Sequence, residues 1–199
     1  MEVLQGPSAA AQSLHEEGVA MMRELGDQWG LACSLCFLGA SVAAHGDDAT
    51  ARSLQQESAA IFRELGDMAL LAVPLSYLGY MAIRRGDCAL ARSLLEESLR
   101  LWSTQVGTRW GIAWRLEGFA GLAAKEGQPE RAARLFGAAK AMLDAFSAHL
   151  DPIDRLGYDK NVTSIREQLG DAAFGKAWAE GRAMTMEQAI AYALEVAHD

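Results

Sequence analysis

The sequence predicts an all-α fold: a right-handed superhelix of antiparallel helical hairpins, closed by a C-terminal helical cap. Three observations carry this. Alanine and leucine dominate a chain with four prolines and no β-branched runs, a composition suited to helix. The stretch Leu38–Glu57, LGASVAAHGDDATARSLQQE, returns forty residues later as Leu78–Glu97, LGYMAIRRGDCALARSLLEE. Each copy reads as helix, Gly-Asp turn, helix, and a repeat of that length with one hairpin per unit marks a helical solenoid.

Size and charge narrow the function classes. The chain has 199 residues, 51% of them hydrophobic, enough for stacked repeats with a continuous core. Its formal charge of −8 repels phosphate backbones and argues against direct nucleic-acid binding by this segment. No apolar run reaches the length of about eighteen residues that a membrane span needs, and no secretory signal is visible. Three cysteines, Cys33, Cys36 and Cys88, form no framework, which fits a reducing cytoplasm. Residues 1–8, Met-Glu-Val-Leu-Gln-Gly-Pro-Ser, resemble a viral-protease cleavage scar and are set aside as a tag remnant. Such a scar implies a longer natural protein.

Residues 9–25 read as the first helix, with Leu14, Val19, Met22 and Leu25 at helical spacing. Its ending, Arg23-Glu-Leu-Gly-Asp27, returns as Arg63-Glu-Leu-Gly-Asp67, with Gly26 and Gly66 where a left-handed C-terminal cap belongs. This helix therefore matches the second helix of a unit whose first helix is missing. Three hairpins follow, over 28–65, 68–106 and 108–146, together completing a repeat region over 9–150. Pro74 falls inside its helix and is accommodated by a local kink. An insertion around Ser103–Gly107 shifts the third unit, so that Leu75 maps to Leu116, Leu78 to Phe119, Gly79 to Ala120 and Ala91 to Ala132. Pro129 starts a helix where its missing N–H costs nothing. Beyond Leu150 the period ends. Residues 151–199 read as the cap, with helices over Ile153–Leu169, Asp171–Glu180 (ended by Gly181) and Met186–Ala197, the last capped by Thr185.

The repeated positions have a physical logic. Gly39, Gly79 and Ala120, with Ala51, Ala91 and Ala132 opposite, are small so that two helices approach closely. Leu35, Leu75 and Leu116 form one stripe with Leu38, Leu78 and Phe119. Burying one such leucine contributes roughly 1.5–3 kcal/mol. Trp29 and Trp110, near helix starts, read as packing between repeats.

These residues resemble the tetratricopeptide repeat. That pattern has a large apolar residue, Leu-Gly, a Gly-Asp turn and a small residue early in the second helix. Here these are Leu35, Leu38-Gly39, Gly46-Asp47 and Ala51, then Leu75, Leu78-Gly79, Gly86-Asp87 and Ala91. The likeness covers about residues 9–146. It is weaker in the third unit, with Phe119-Ala120 and Gly127-Gln128, and the period of forty implies longer helices than the family's usual repeat. A second stretch looks like the end of the tetratricopeptide region in large bacterial regulators of the LuxR type and related ATPase transcriptional regulators. It comprises Ala132-Ala-Arg-Leu-Phe-Gly-Ala-Ala139, Tyr158, Ile165-Arg-Glu-Gln-Leu-Gly170, Phe174, Trp178-Ala-Glu-Gly181 and Met186-Glu-Gln-Ala-Ile190. In that family the nucleotide switch and the effector domain lie elsewhere in the chain, and the repeats receive a signal.

The resemblance implies an inner groove lined by the first helix of each hairpin. Position by position it gives Cys33, Cys36, Ala40 and Ala44, then Val73, Ser76, Tyr80, Ile83 and Arg84, then Trp114, Glu117, Gly121 and Lys125. Tyrosine and tryptophan are enriched at binding hot spots, and flanking charges orient a peptide or small ligand. Packing between helices is the competing reading for Tyr80 and Trp114. Other motifs are weak. Cys33-Ser-Leu-Cys36 is a C-x-x-C inside a helix with no second pair, read as apolar filler. His15, His45, His149 and His198 are scattered. Neither a phosphate loop nor a G-x-S-x-G nucleophile occurs, and the acceptor triplet Asn161-Val-Thr163 lacks a secreted context.

The expectation is a non-enzymatic scaffold without cofactor, the sensor or interaction region of a bacterial multidomain regulator. Its partners would be a protein, a peptide or a small effector in the groove, and other domains of the full-length chain. Two alternatives stand beside it. One is a self-associating scaffold, dimeric through the exposed repeat end at 9–25. The other is a hydrolase using carboxylates such as Glu16-Glu17 and Glu96-Glu97, which recur with the repeat and so look structural.

Overall fold

A computed structural model describes residues 7–144 and 152–195, with side chains over 12–144 and 158–195. Ten helices account for nearly all of these residues. They are α1 (Pro7–Leu25), α2 (Gln28–Ala44), α3 (Asp48–Leu65), α4 (Met68–Arg85), α5 (Cys88–Gln105), α6 (Arg109–Lys125), α7 (Pro129–Asp144), α8 (Pro152–Leu169), α9 (Asp171–Arg182) and α10 (Met186–Leu194). The described residues contain no strand. The first helix begins two residues before the expected start, inside the stretch set aside as a scar. Residues 145–151 and 196–199, which include His149, His198 and the expected end of the repeat region, lie outside the described residues.

The junctions explain why the helices start and stop where they do. Gly66 and Gly86 adopt left-handed φ of 73° and 79°, a conformation that only glycine enters without strain. The next residue starts the following helix at once. Asp27, Asp47, Asp67 and Asp87 each accept a hydrogen bond from the backbone N–H three residues on, at 2.9–3.1 Å, satisfying a donor that the helix leaves free. One Gly-Asp dipeptide thus ends one helix and caps the next, so consecutive helices must fold back on each other.

They do so antiparallel. Ser58 Oγ donates to Ala32 O at 2.8 Å and Gln55 Nε2 donates to Cys36 O at 2.8 Å, joining α3 to α2. Forty residues on, Ser98 Oγ donates to Ala72 O at 2.5 Å, joining α5 to α4. In the third pair Ala139 stands where Ser98 does and Ala113 where Ala72 does, and both are fully buried, so the serine–carbonyl bond of the first two pairs has no counterpart there. The small residues sit where these pairs cross. A Cβ on Gly39 would come within 2.7 Å of Gln55 Nε2, and one on Gly79 within 2.9 Å of Leu95 Cγ. Leu35, Leu75 and Leu116 are all buried.

Successive pairs also touch: α2 packs on α4, and α4 on α6. Ion pairs tie the second helices together with the same period. Arg23 meets Glu57 at 3.0 Å, and Arg63 meets Glu97 at 3.2 Å. At half exposure each contributes well under about 1 kcal/mol, so they set register more than stability.

The last three helices close over the third pair. Gly181 does not end α9 as expected. It lies within the helix against the backbone of Arg134, while Gly137 of α7 faces the backbone of Trp178. The two glycines let α7 and α9 cross in backbone contact. Arg134 pairs with Glu180 at 2.7 Å and Arg182 with Asp144 at 2.9 Å. The guanidinium of Arg131 donates to the carbonyls of Tyr192 and Glu195 at the end of α10, where the helix dipole favours a cation. Thr185 and Gln188 form a reciprocal capping box at the start of α10.

The tryptophans near helix starts, Trp29 and Trp110, are about half exposed. Trp29 reaches forward into the next unit, where its indole N–H donates to Asp67 Oδ2 at 3.1 Å.

Candidate functional site

Helices α2, α4 and α6 lie side by side, and α8 crosses in front of them. The space between is a cavity of about 540 Å³, within the range of small-ligand sites. Alanines of α2 and Gly121 with Ala124 of α6 leave the room. Aromatic side chains from α4, α6, α7 and α8 wall it.

Of the residues expected in a groove, Tyr80, Ile83, Arg84, Trp114, Glu117 and Lys125 line this cavity, as do Ala40, Ala44 and Gly121. Val73 and Ser76 do not. Ser76 is fully buried, with its hydroxyl 2.7 Å from Ser98 Oγ and 3.2 Å from Ala72 O. Val73 is half-buried against the core. The face of α4 that meets the cavity is rotated from the expected one, since each residue advances about 100° around a helix. Tyr77, one residue past Ser76, lines the cavity in its place. Cys33 and Cys36 are also off the wall. Burial, with the Cys33 thiol beside it, pushes Cys36 up to about 12, and burial also raises Cys33. Neither is a thiolate at neutral pH, which suits filler and not redox or metal chemistry.

The aromatic wall is braced. Trp114 meets Tyr77 edge-on, with ring centres 5.0 Å apart, and lies tilted against Tyr80 at 5.8 Å. The Tyr80 hydroxyl donates to the Trp114 carbonyl at 2.6 Å. Trp114 and Tyr80 therefore pack between helices and line the cavity at the same time. On the far side Tyr158 meets Phe136 edge-on at 5.3 Å. Its hydroxyl is buried in the wall without a hydrogen-bond partner among the described residues. Burial, and then the charge of Glu117, push that phenol above its ordinary range, so it remains a neutral donor at any physiological pH. At the rim Arg84 is held by Asp48.

Helix α8 supplies the wall that sequence reasoning missed. Tyr158, Asn161, Ser164, Ile165 and Gln168 all line the cavity, and they fall on one helical face. The repeat pattern ends before α8, so no periodicity pointed to it. The available signal was spacing alone, with Tyr158, Asn161, Ile165 and Gln168 three or four residues apart on one helical face.

Among the described residues no group of three or more His, Cys, Asp and Glu is placed to hold a metal ion. No helix among them is long and apolar enough to cross a membrane.

No family model matches the chain. Over 83 residues, 42% of its length, it is 41% identical to proteins that bear the name "Putative HTH-type transcriptional regulator", from Mycobacterium tuberculosis and Mycobacterium bovis. The chain spans 9% of the length of these curated relatives. This all-helical chain is thus similar to a short part of large proteins named as transcriptional regulators.

Proposed function

We propose that the chain is a non-enzymatic binding scaffold of the tetratricopeptide type, working as the sensor or interaction region of a bacterial multidomain transcriptional regulator of the LuxR kind. In this reading residues 9–150 form a right-handed superhelix of helical hairpins and 151–199 its cap. The cavity between α2, α4, α6 and α8 receives a small effector or a peptide, in the cytoplasm and without a cofactor. The observation that carries the reading is the braced aromatic wall of Tyr77, Tyr80 and Trp114 opposite the polar face of α8. Ring faces bind apolar and cationic groups, and the amides and hydroxyls of α8 can fix an orientation. The site joins elements from both the repeats and the cap, so occupancy bears on how the two are held together. The relatives' name supplies the regulator context, and the output domains would lie in the rest of such a protein.

Thermal unfolding against a metabolite and peptide library tests this. A ligand at 100 times its Kd stabilises by about 2.7 kcal/mol. The expected result is a shift for one ligand class that is lost when Tyr80→Ala and Trp114→Ala are combined. Equal shifts in the wild type and the double variant would put binding elsewhere. Turnover of an ester or phosphate substrate that survives purification controls would contradict the non-enzymatic reading.

A further inference from the structure

The two ends of the helical stack differ. At the C-terminal end α9 covers α7. At the other end α1 shows Leu14, 67% exposed, and Met21, 56% exposed. The equivalent places in α3 hold Leu54 and Ile61, and Ile61 is buried. In α5 they hold Leu94 and Leu101, which pack against the core cluster that includes Phe62 and Leu71. Leu14 and Met21 thus occupy positions that are covered wherever an earlier unit is present.

The ion pairs repeat the pattern. Glu57 takes Arg23 from the preceding second helix, and Glu97 takes Arg63, each thirty-four residues back. Forty residues before Glu57 stands Glu17, exposed, with no ion pair among the described residues. The face of α1 therefore carries both halves of the interface seen twice within the molecule, an apolar pair and an acceptor carboxylate.

We propose that this face receives the first helix that α1 lacks, joined to the start of α1, together with the second helix of the unit before it, which carries an arginine in register with Glu17. A second copy is a poor fit. The place equivalent to Arg63 is Ser103 in α5 and Asp144 in α7. Asp144 is already paired with Lys140 and Arg182. Head-to-tail stacking would meet α9, which already covers α7, and the α7 residue in place of the arginine is an aspartate that would repel Glu17. The inference rests on the repeat reading above but not on what the cavity binds, so a ligand screen without hits leaves it standing.

The test replaces residues 1–7 with a copy of residues 48–87. This keeps the forty-residue register and places the copied Arg63 thirty-four residues before Glu17. The expected result is a monomer with proportionately more helix, several-fold slower peroxide oxidation of Met21 and slower amide exchange in α1. Glu17→Arg in the extended chain should reverse part of that protection. Grafted helices that stay unfolded, or a folded graft that leaves Met21 as reactive as before, would overturn the inference. So would a dimer of the unextended chain that Met21→Glu disperses, because the face would then belong to a second copy.

Discussion

The guanidinium of Arg115 lies 4.1 Å from the centre of the Trp102 indole ring, fully buried, with no carboxylate paired to it among the described residues. It donates to Ser98 Oγ and to the Gly111 carbonyl, both at 2.9 Å, while Nη2 has no partner there. Burial lowers its pKa to about 9, so it is charged at neutral pH. This knot accompanies the one-residue insertion between α5 and α6. Trp102 donates to Thr108 Oγ1 at 3.2 Å, and Thr108 makes no side-chain cap to α6.

A buried cation that lacks a counter-charge leaves its desolvation cost uncompensated, and an apolar chain of similar length removes that cost. Arg115→Met should therefore leave stability within about 1 kcal/mol of wild type or raise it, as the lost cation–π contact offsets part of the desolvation relieved. Arg115→Ala leaves a cavity and should cost about 2–4 kcal/mol. Urea unfolding of both variants checks the order.

Gly111 packs directly under Trp102, where a Cβ would overlap the indole nitrogen. Gly111→Ala should destabilise by about 1–3 kcal/mol, whereas Ala on the open side of α9, at Gly175, meets nothing within 4 Å and should be neutral or slightly stabilising. A shared response of the two variants in calorimetry would contradict the close approach.

The four aspartate caps are not equal. Asp87 makes one cap bond to Leu90, whereas Asp67 caps Leu70 and also accepts from the Trp29 indole. Asp87→Ala should cost about 1 kcal/mol and Asp67→Ala measurably more. A Trp29→Phe background should bring the two closer.

Acid should loosen the docking of α9 before it loosens α5. Hydrogen bonds from Lys140 and Arg182 hold Asp144 below its ordinary range, and Arg134 does the same for Glu180. A carboxylate depressed in the folded state adds stability above its unfolded pKa and loses it as pH falls through the folded value. The docking of α9 on α7 should weaken below about pH 4, where unperturbed carboxylates titrate. Hydrogen exchange in α9 should rise there before exchange in α5, and Asp144→Asn with Glu180→Gln should flatten the difference.

Much of this architecture was legible in the residues because its punctuation is local. Each Gly-Asp pair ends one helix and caps the next within two residues, so boundaries such as Asp48–Leu65 and Met68–Arg85 follow from sequence. The cavity was legible in part. Tyr80, Arg84, Trp114 and Glu117 came from repeat position, but Ser76 faces the core and Tyr77 the cavity, a rotation that only the packing of α4 on α5 decides. Helix α8 was hidden because it stands outside the period. Arg115 was hidden because its place is Pro74 one unit earlier, and no pattern announces a buried arginine.

Hydrogen exchange of α8, with and without the ligand pool that gives the largest thermal shift, decides whether the cavity is the binding site. Slower exchange is expected around 158–168, together with the Tyr77–Arg84 part of α4 and the Trp114–Lys125 part of α6. Protection confined to α3, α5 and α7, with α8 unchanged, would contradict that reading.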